Sequence, residues 1–156
     1  MKMINREIIF RGLPLNDSLG YGKTFVYGDL IQYAKNEVFI LEQNSRSWDI
    51  LEAGIMVEPS TVGQLTYTKD IENNEIYEGD VVKGRRNRYF KVVYDNFNNR
   101  FAFESLTNEE RITLNRHNIE DFEFKVVGNK YLGIEDDDVE TSVVQEINKL
   151  LLGDGE

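Results

Sequence analysis

Cysteine is missing from this chain, histidine and tryptophan occur once each, and proline occurs twice in 156 residues. Without cysteine there is no disulfide, thiol nucleophile, Cys-ligated zinc or iron–sulfur cluster. A lone His117 leaves little room for imidazole-based catalysis. No apolar run approaches the roughly 18 residues of a membrane span. Met1-Lys-Met-Ile-Asn-Arg also lacks the apolar stretch of a signal peptide. A soluble, cytoplasmic protein without a membrane partner is therefore expected. Bases are scarce too: 18 Lys plus Arg stand against 28 Asp plus Glu, a net charge of −10 that excludes a uniformly basic nucleic-acid coat. What is present is ordinary for a globular chain. Forty per cent of residues are hydrophobic, nine Phe and eight Tyr suffice for a core, and the length suits one domain or two small ones.

The charge is unevenly placed. From Ile134 onward eight acids face a single base, Lys149, so the segment carries −7 and residues 1–133 only −3. Within the near-neutral body, Lys83, Arg85, Arg86, Arg88 and Lys91 form a basic cluster with Tyr89 and Phe90 beside it. Bases next to aromatics suit phosphate contact and base stacking. The same pattern also describes a solvated hairpin tip whose bases pair with nearby acids.

Short β-rich runs separated by turn residues fill most of the chain. Strands are expected at Glu7–Gly12, Thr24–Tyr27, Leu30–Tyr33, Glu37–Glu42, Ile55–Val57, Val62–Tyr67, Asp80–Lys83, Arg88–Tyr94, Arg100–Ser105, Arg111–Leu114 and Phe122–Val127. Turns are expected at Gln43–Ser47, Asn73-Asn74, Gly84, Asp95–Asn99 and Thr107-Asn108, with a turn or single helical turn at Glu58–Thr61. This pattern predicts a mainly β protein of small barrel-like, SH3-like units with short antiparallel strands. Residues 1–133 would form the body, as two related sub-units near 1–75 and 76–133, and 134–156 an acidic helical tail. Val139, Val143, Val144, Ile147, Leu150 and Leu151 fall on one helical face, which suits a homo-oligomer contact or the chain's own body. Asp136–Asp138 and Glu140 would favour the positive end of that helix's dipole, and Gly153 would stop it. Tyr27-Gly28-Asp29 is echoed by Tyr77-Glu78-Gly79-Asp80, each with a Gly free to take positive φ before an apolar run.

Several blocks carry a resemblance. Asn5-Arg-Glu-Ile-Ile-Phe-Arg-Gly, Val26-Tyr-Gly-Asp-Leu-Ile-Gln and Val57-Glu-Pro-Ser-Thr-Val-Gly-Gln-Leu-Thr occur in that order. Tyr67-Thr-Lys-Asp, Asn73-Asn-Glu-Ile-Tyr-Glu-Gly-Asp-Val-Val and Phe124-Lys-Val-Val-Gly-Asn-Lys-Tyr follow them. Together they resemble the YopX family of phage and prophage proteins over residues 5–131. Asn73-Asn74 and Thr66-Tyr-Thr-Lys-Asp depart from the family's frequent Asn-Gly and Thr-Gly-Leu-Lys-Asp, which touches turn chemistry more than any proposed active site. The resemblance implies a mostly β accessory protein of a bacterial virus or prophage, in the cytoplasm of its host, and supplies no activity or catalytic residues.

The remaining residues do not assemble a catalytic motif. Asp136-Asp137-Asp138 lacks calcium-loop spacing, and neither a Gly-rich phosphate loop nor Gly-x-Ser-x-Gly is present. No catalytic, cofactor-binding or metal residue is named, and a non-enzyme is expected. A pairing of Asp29 with Asp80, flanked by Tyr27 and Tyr77, would need a shared pocket. The leading expectation is a binding or oligomeric interaction module that contacts a host or phage macromolecule. Two alternatives stand beside it: nucleic-acid contact through Lys83, Arg85, Arg86, Arg88, Tyr89 and Lys91, and an acidic decoy that occupies a DNA-binding protein.

Overall fold

A computed structural model describes residues 7–15, 23–42 and 53–153. The turn expected at Gln43–Ser47 lies outside these residues. Among those described, twelve strands form two antiparallel sheets, and a helix closes the described chain. The chain divides into two compact units, Met1–Leu65 and Thr66–Glu156.

The first unit holds β1 (Phe10–Gly12), β2 (Val26–Ala34), β3 (Glu37–Leu41), β4 (Ile55–Val57) and the start of β5 (Gly63–Lys69). β1 lies between β2 and β5, and β3 and β4 extend the sheet beyond β2. Alternating side chains gather Val26, Val38, Ile40, Ile55 and Val57 into one apolar cluster. A break was expected at Gly28-Asp29, but β2 runs straight through. Gly28 lies so close to the neighbouring strand that a Cβ there would sit 2.1 Å from the Leu41 carbonyl oxygen. Only glycine permits that approach without interrupting the strand. Pro59–Thr61 forms the single helical turn, and the Thr61 hydroxyl accepts from the Leu13 amide at 2.9 Å.

In the second unit the end of β5 pairs with β6 (Glu75–Tyr77). Then follow β7 (Asp80–Gly84), β8 (Arg88–Asp95), β9 (Arg100–Ser105), β10 (Arg111–Thr113), α1 (Arg116–Phe122), β11 (Lys125–Asn129), β12 (Gly133–Ile134) and α2 (Thr141–Leu152). The sheet order is β10-β9-β8-β7-β11-β12. Period-2 alternation sends successive residues to opposite faces. Val82, Phe90, Val92 and Phe103 join Ile76, Ile119 and Phe124 on one side, with Phe103 and Phe124 ring centroids 4.3 Å apart. Val81 and Tyr89 point the other way, where Ile134 and α2 residue Ile147 complete a second cluster. Every residue of β7 is buried, as a central strand covered on both faces must be.

The mainly β expectation holds, with one correction: neither sheet closes into a barrel. Closure needs the outermost strands to pair with each other, and the second sheet ends on strands of only three and two residues. β12 ends on a side chain instead. The Asn148 amide of α2 accepts from the Ile134 N–H at 2.7 Å and donates to the Ile134 carbonyl at 3.3 Å.

Two further differences concern helices. The strand expected from Phe122 begins at Lys125, because residues 116–122 form α1. Asn115 caps α1 by accepting from the Asn118 amide at 2.7 Å, and Glu123 ends it in the left-handed conformation. α2 starts at Thr141 with no acid in its first turn, so Asp136–Asp138 do not serve its dipole. Val139 precedes the helix. Gly153, at φ 79°, ends it as expected.

Candidate functional site

Lys83 sits on the fully buried strand β7 and Tyr89 opposite it on β8, their Cα atoms paired across the ladder. The Lys83 ammonium lies 2.8 Å from the Asp136 carboxylate, and the Tyr89 hydroxyl donates to the same oxygen at 2.7 Å. The other oxygen of Asp136 accepts from the Asp138 amide at 3.1 Å. Lys125 meets Asp138 at 3.0 Å, and that hydrogen bond raises the Lys125 pKa. The Lys83 and Asp136 side chains are only 9% and 2% exposed, so the pair is shielded from water. Burial by itself would push the Asp136 carboxyl up. The hydrogen bonds from Lys83 and Tyr89, then the Asp138 amide and the Lys83 charge, outweigh it and hold the group below its ordinary value. Burial first, and then the bond to Asp136, drive the Tyr89 hydroxyl well above the usual tyrosine range. This buried clasp fastens the segment before α2 to the sheet.

The clasp alters the standing of the basic hairpin. Lys83 and Tyr89, proposed as nucleic-acid contacts, face inward, and Phe90 is buried as well. Arg88 pairs with Glu110, Lys91 meets Glu104 at 3.3 Å, and Arg85 approaches Glu123 at 3.5 Å with both side chains well exposed. Arg86 remains, exposed at the tip with φ 62° and ψ 27°, and the adjoining Asn87 is also left-handed. Asn tolerates that region, whereas arginine is strained there by about 1 kcal/mol. Arg86→Gly is accordingly expected to add up to about 1 kcal/mol of stability, read as a higher urea midpoint. An unchanged or lower midpoint in a urea titration would show that the strain is no larger than the entropy glycine adds to the unfolded chain.

The residues assigned to an oligomer helix are largely used inside the second unit. Ile147 is buried there, and Val143, Val144 and Leu151 pack half-buried against Val81, Tyr89 and Ile134. Leu150, together with Leu152, lies on the outer side. Asp29 and Asp80 belong to different units. Asp29 is exposed, whereas Asp80 is buried and accepts from the Tyr77 amide at 2.8 Å, a turn contact before β7. Gly79 takes φ 94° in that turn, the positive φ anticipated from the echo. His117 is exposed on α1. Among the described residues no three His, Asp or Glu side chains gather as metal ligands would. No helix among them is long and apolar enough to cross a membrane.

Two carboxylates that carried no role in the sequence organise the remaining loops. Asp70, 2% exposed, accepts from the amides of Glu72 at 2.9 Å, Asn74 at 2.8 Å and Val126 at 2.9 Å, and from the Asn74 side chain at 3.3 Å. It forms the Asn73-Asn74 turn and ties it to β11. Asp95 does similar work between β8 and β9, accepting from the Phe97 and Asn98 amides at 3.0 and 3.3 Å and from the Asn98 side chain at 2.7 Å. The Asn98 side chain leads in holding the Asp95 carboxyl below its ordinary range, against burial, with the two amides and Arg111 adding to it. The turn so fixed displays Phe97, 92% exposed. Beside it opens a cleft of about 310 Å³ lined in part by Arg100, Ala102, Arg111 and Thr113. An aromatic residue inside an Asp/Asn-rich turn was the available sequence signal.

Comparison with family models matches the YopX protein family over residues 20–133. No curated protein is similar enough to match. The match takes in Lys83, Tyr89, Asp70 and the Asp95 turn, and stops before Asp136 and α2. It spans well over half of the chain, and the chain thus belongs to the YopX protein family.

Proposed function

We propose that this YopX-family chain is an accessory protein of a phage or prophage, acting in the bacterial cytoplasm as a non-enzymatic binding module. The observation that carries this reading is Phe97. A ring left 92% exposed, on a turn clamped by three hydrogen bonds to Asp95, gains nothing from the chain's own core. Rigid aromatic residues supply large contact area at low entropy cost when a partner covers them. The buried carboxylates Asp70, Asp80, Asp95 and Asp136 are engaged in turns and in the clasp, which fits a scaffold that presents surfaces. The reading is tested by placing the photo-crosslinking residue p-benzoylphenylalanine at position 97 in host cells, with the exposed position 120 as control. Discrete adducts at 97 and none at 120 are expected, and equal adduct patterns, or none, overturn the proposal.

Nucleic-acid contact by the 83–91 hairpin is narrowed to its tip. Arg86 is the observation in its favour, since it has no ion-pair partner among the described residues.

A further inference from the structure

We infer that the ligand of the Phe97 surface is a single-stranded nucleic acid, one nucleotide of which occupies the cleft beside that ring. The inference rests on the binding-module reading and names its partner. Three features of the second unit converge on it. Phe97 offers a face on which any base can stack, because every base presents a π-surface. Arg100 stands exposed at the start of β9 with no ion-pair partner among the described residues, so its guanidinium is available to a phosphate. The cleft between them has a small floor residue, Ala102, and a hydroxyl, Thr113, and its roughly 310 Å³ is at the lower end of small-ligand sites. Arg111 borders the same cleft but is already bonded to Glu104 at 2.6 and 3.0 Å and meets the cleft's own carboxylate, Asp95, at 3.5 Å, which leaves Arg100 as the anion contact.

The surroundings favour a strand over a duplex. The turn residues Asn96, Phe97, Asn98 and Asn99 carry no charge, and the carboxylate that lines the cleft, Asp95, is paired with Arg111 at 3.5 Å, so Arg100 is the free cation beside the exposed ring. Duplex DNA hides its base faces and is held chiefly by arrays of phosphate contacts, which one arginine does not provide. A single strand exposes both the base face and the phosphate that this pair would grip.

The test is fluorescence anisotropy of the full chain with a labelled oligothymidylate of about 12 nucleotides, at about 50 and about 200 mM salt. A duplex of equal length and free thymidine monophosphate serve as the other arms. Saturable binding of the strand is expected at low salt, with little binding of the duplex. Phe97→Ala should weaken it about tenfold or more. Arg100→Glu should weaken it and flatten the salt dependence, while Arg86→Glu should change it much less. Phe97 and Arg100 are exposed, so both variants should fold, and an unchanged circular-dichroism melt verifies this. No binding at low salt, equal binding by Phe97→Ala, or preference for the duplex or the free nucleotide overturns the inference. Crosslinks from position 97 to protein alone would leave the binding module standing and remove the nucleic acid. No crosslink of either kind removes both.

Discussion

Asp136→Ala should lower the stability of the second unit by about 3–5 kcal/mol, the largest effect expected of any single substitution at the clasp. The reason is the group left behind. Lys83, 8% exposed on a strand covered on both faces, would lose its counter-charge, and the Tyr89 hydroxyl would lose its acceptor. Asp136→Asn should recover only part of the loss, because it restores an acceptor but no charge. Replacing Lys83 and Asp136 together by Met and Leu should be far milder than Asp136→Ala. Loss of amide protection in Val81 and Tyr89 peptides, followed by hydrogen exchange, reports the change directly. A loss under about 1 kcal/mol would mean that water already reaches the pair.

The same clasp sets a pH signature. Asp136 has a folded pKa below its unfolded one, so its contribution is complete above the ordinary carboxylate range, about pH 4, and is lost as pH falls through the depressed value. Tyr89 is shifted the other way. Its contribution is complete below about pH 10 and is lost as pH rises beyond it. Asp136→Asn should remove the acid limb at the clasp, and Tyr89→Phe the alkaline limb.

Asp70→Ala is the second large effect, expected at about 3 kcal/mol. The substitution strips the acceptor from the amides of Glu72, Asn74 and Val126, and each N–H left unsatisfied away from water costs roughly 1–3 kcal/mol. The contributions are not additive, since water can reach the turn once the carboxylate has gone. The Val126 amide is the specific witness: it should exchange faster than other β11 amides in Asp70→Ala. Unchanged protection at Val126 would show that Asp70 shapes the turn alone.

How much of this was legible in the sequence follows from the range of each interaction. Strands such as Arg88–Asp95 and Arg100–Ser105 were readable because period-2 alternation is local. α1 was not, since seven residues of mixed polarity show no clear period, though Asn115 three residues before Asn118 was a capping cue. Barrel closure depends on strands meeting at the far ends of a sheet, which composition does not encode. The helical periodicity of Val143, Val144 and Ile147 was visible, but the partner of that face was not, because Val81 and Tyr89 lie more than fifty residues away. The basic cluster misled for a similar reason. Five bases in nine residues look like one patch, yet strand alternation and a carboxylate from residue 136 withdraw Lys83 from the surface. In the sequence Phe97 is one residue of a turn, and only its exposure distinguishes it from the core aromatics around it.

The Asn148 contact with Ile134 bears on whether this edge of the sheet can recruit another chain. A sheet whose last strand leaves amide and carbonyl groups open is a template on which another chain can add a strand, and successive additions give fibres. At Ile134 both of those groups are already occupied by a carboxamide with the same donor and acceptor as a peptide unit. The side chain belongs to a helix and has no further ladder to extend. Growth from that edge is terminated by a group that imitates the next strand but cannot be followed by another.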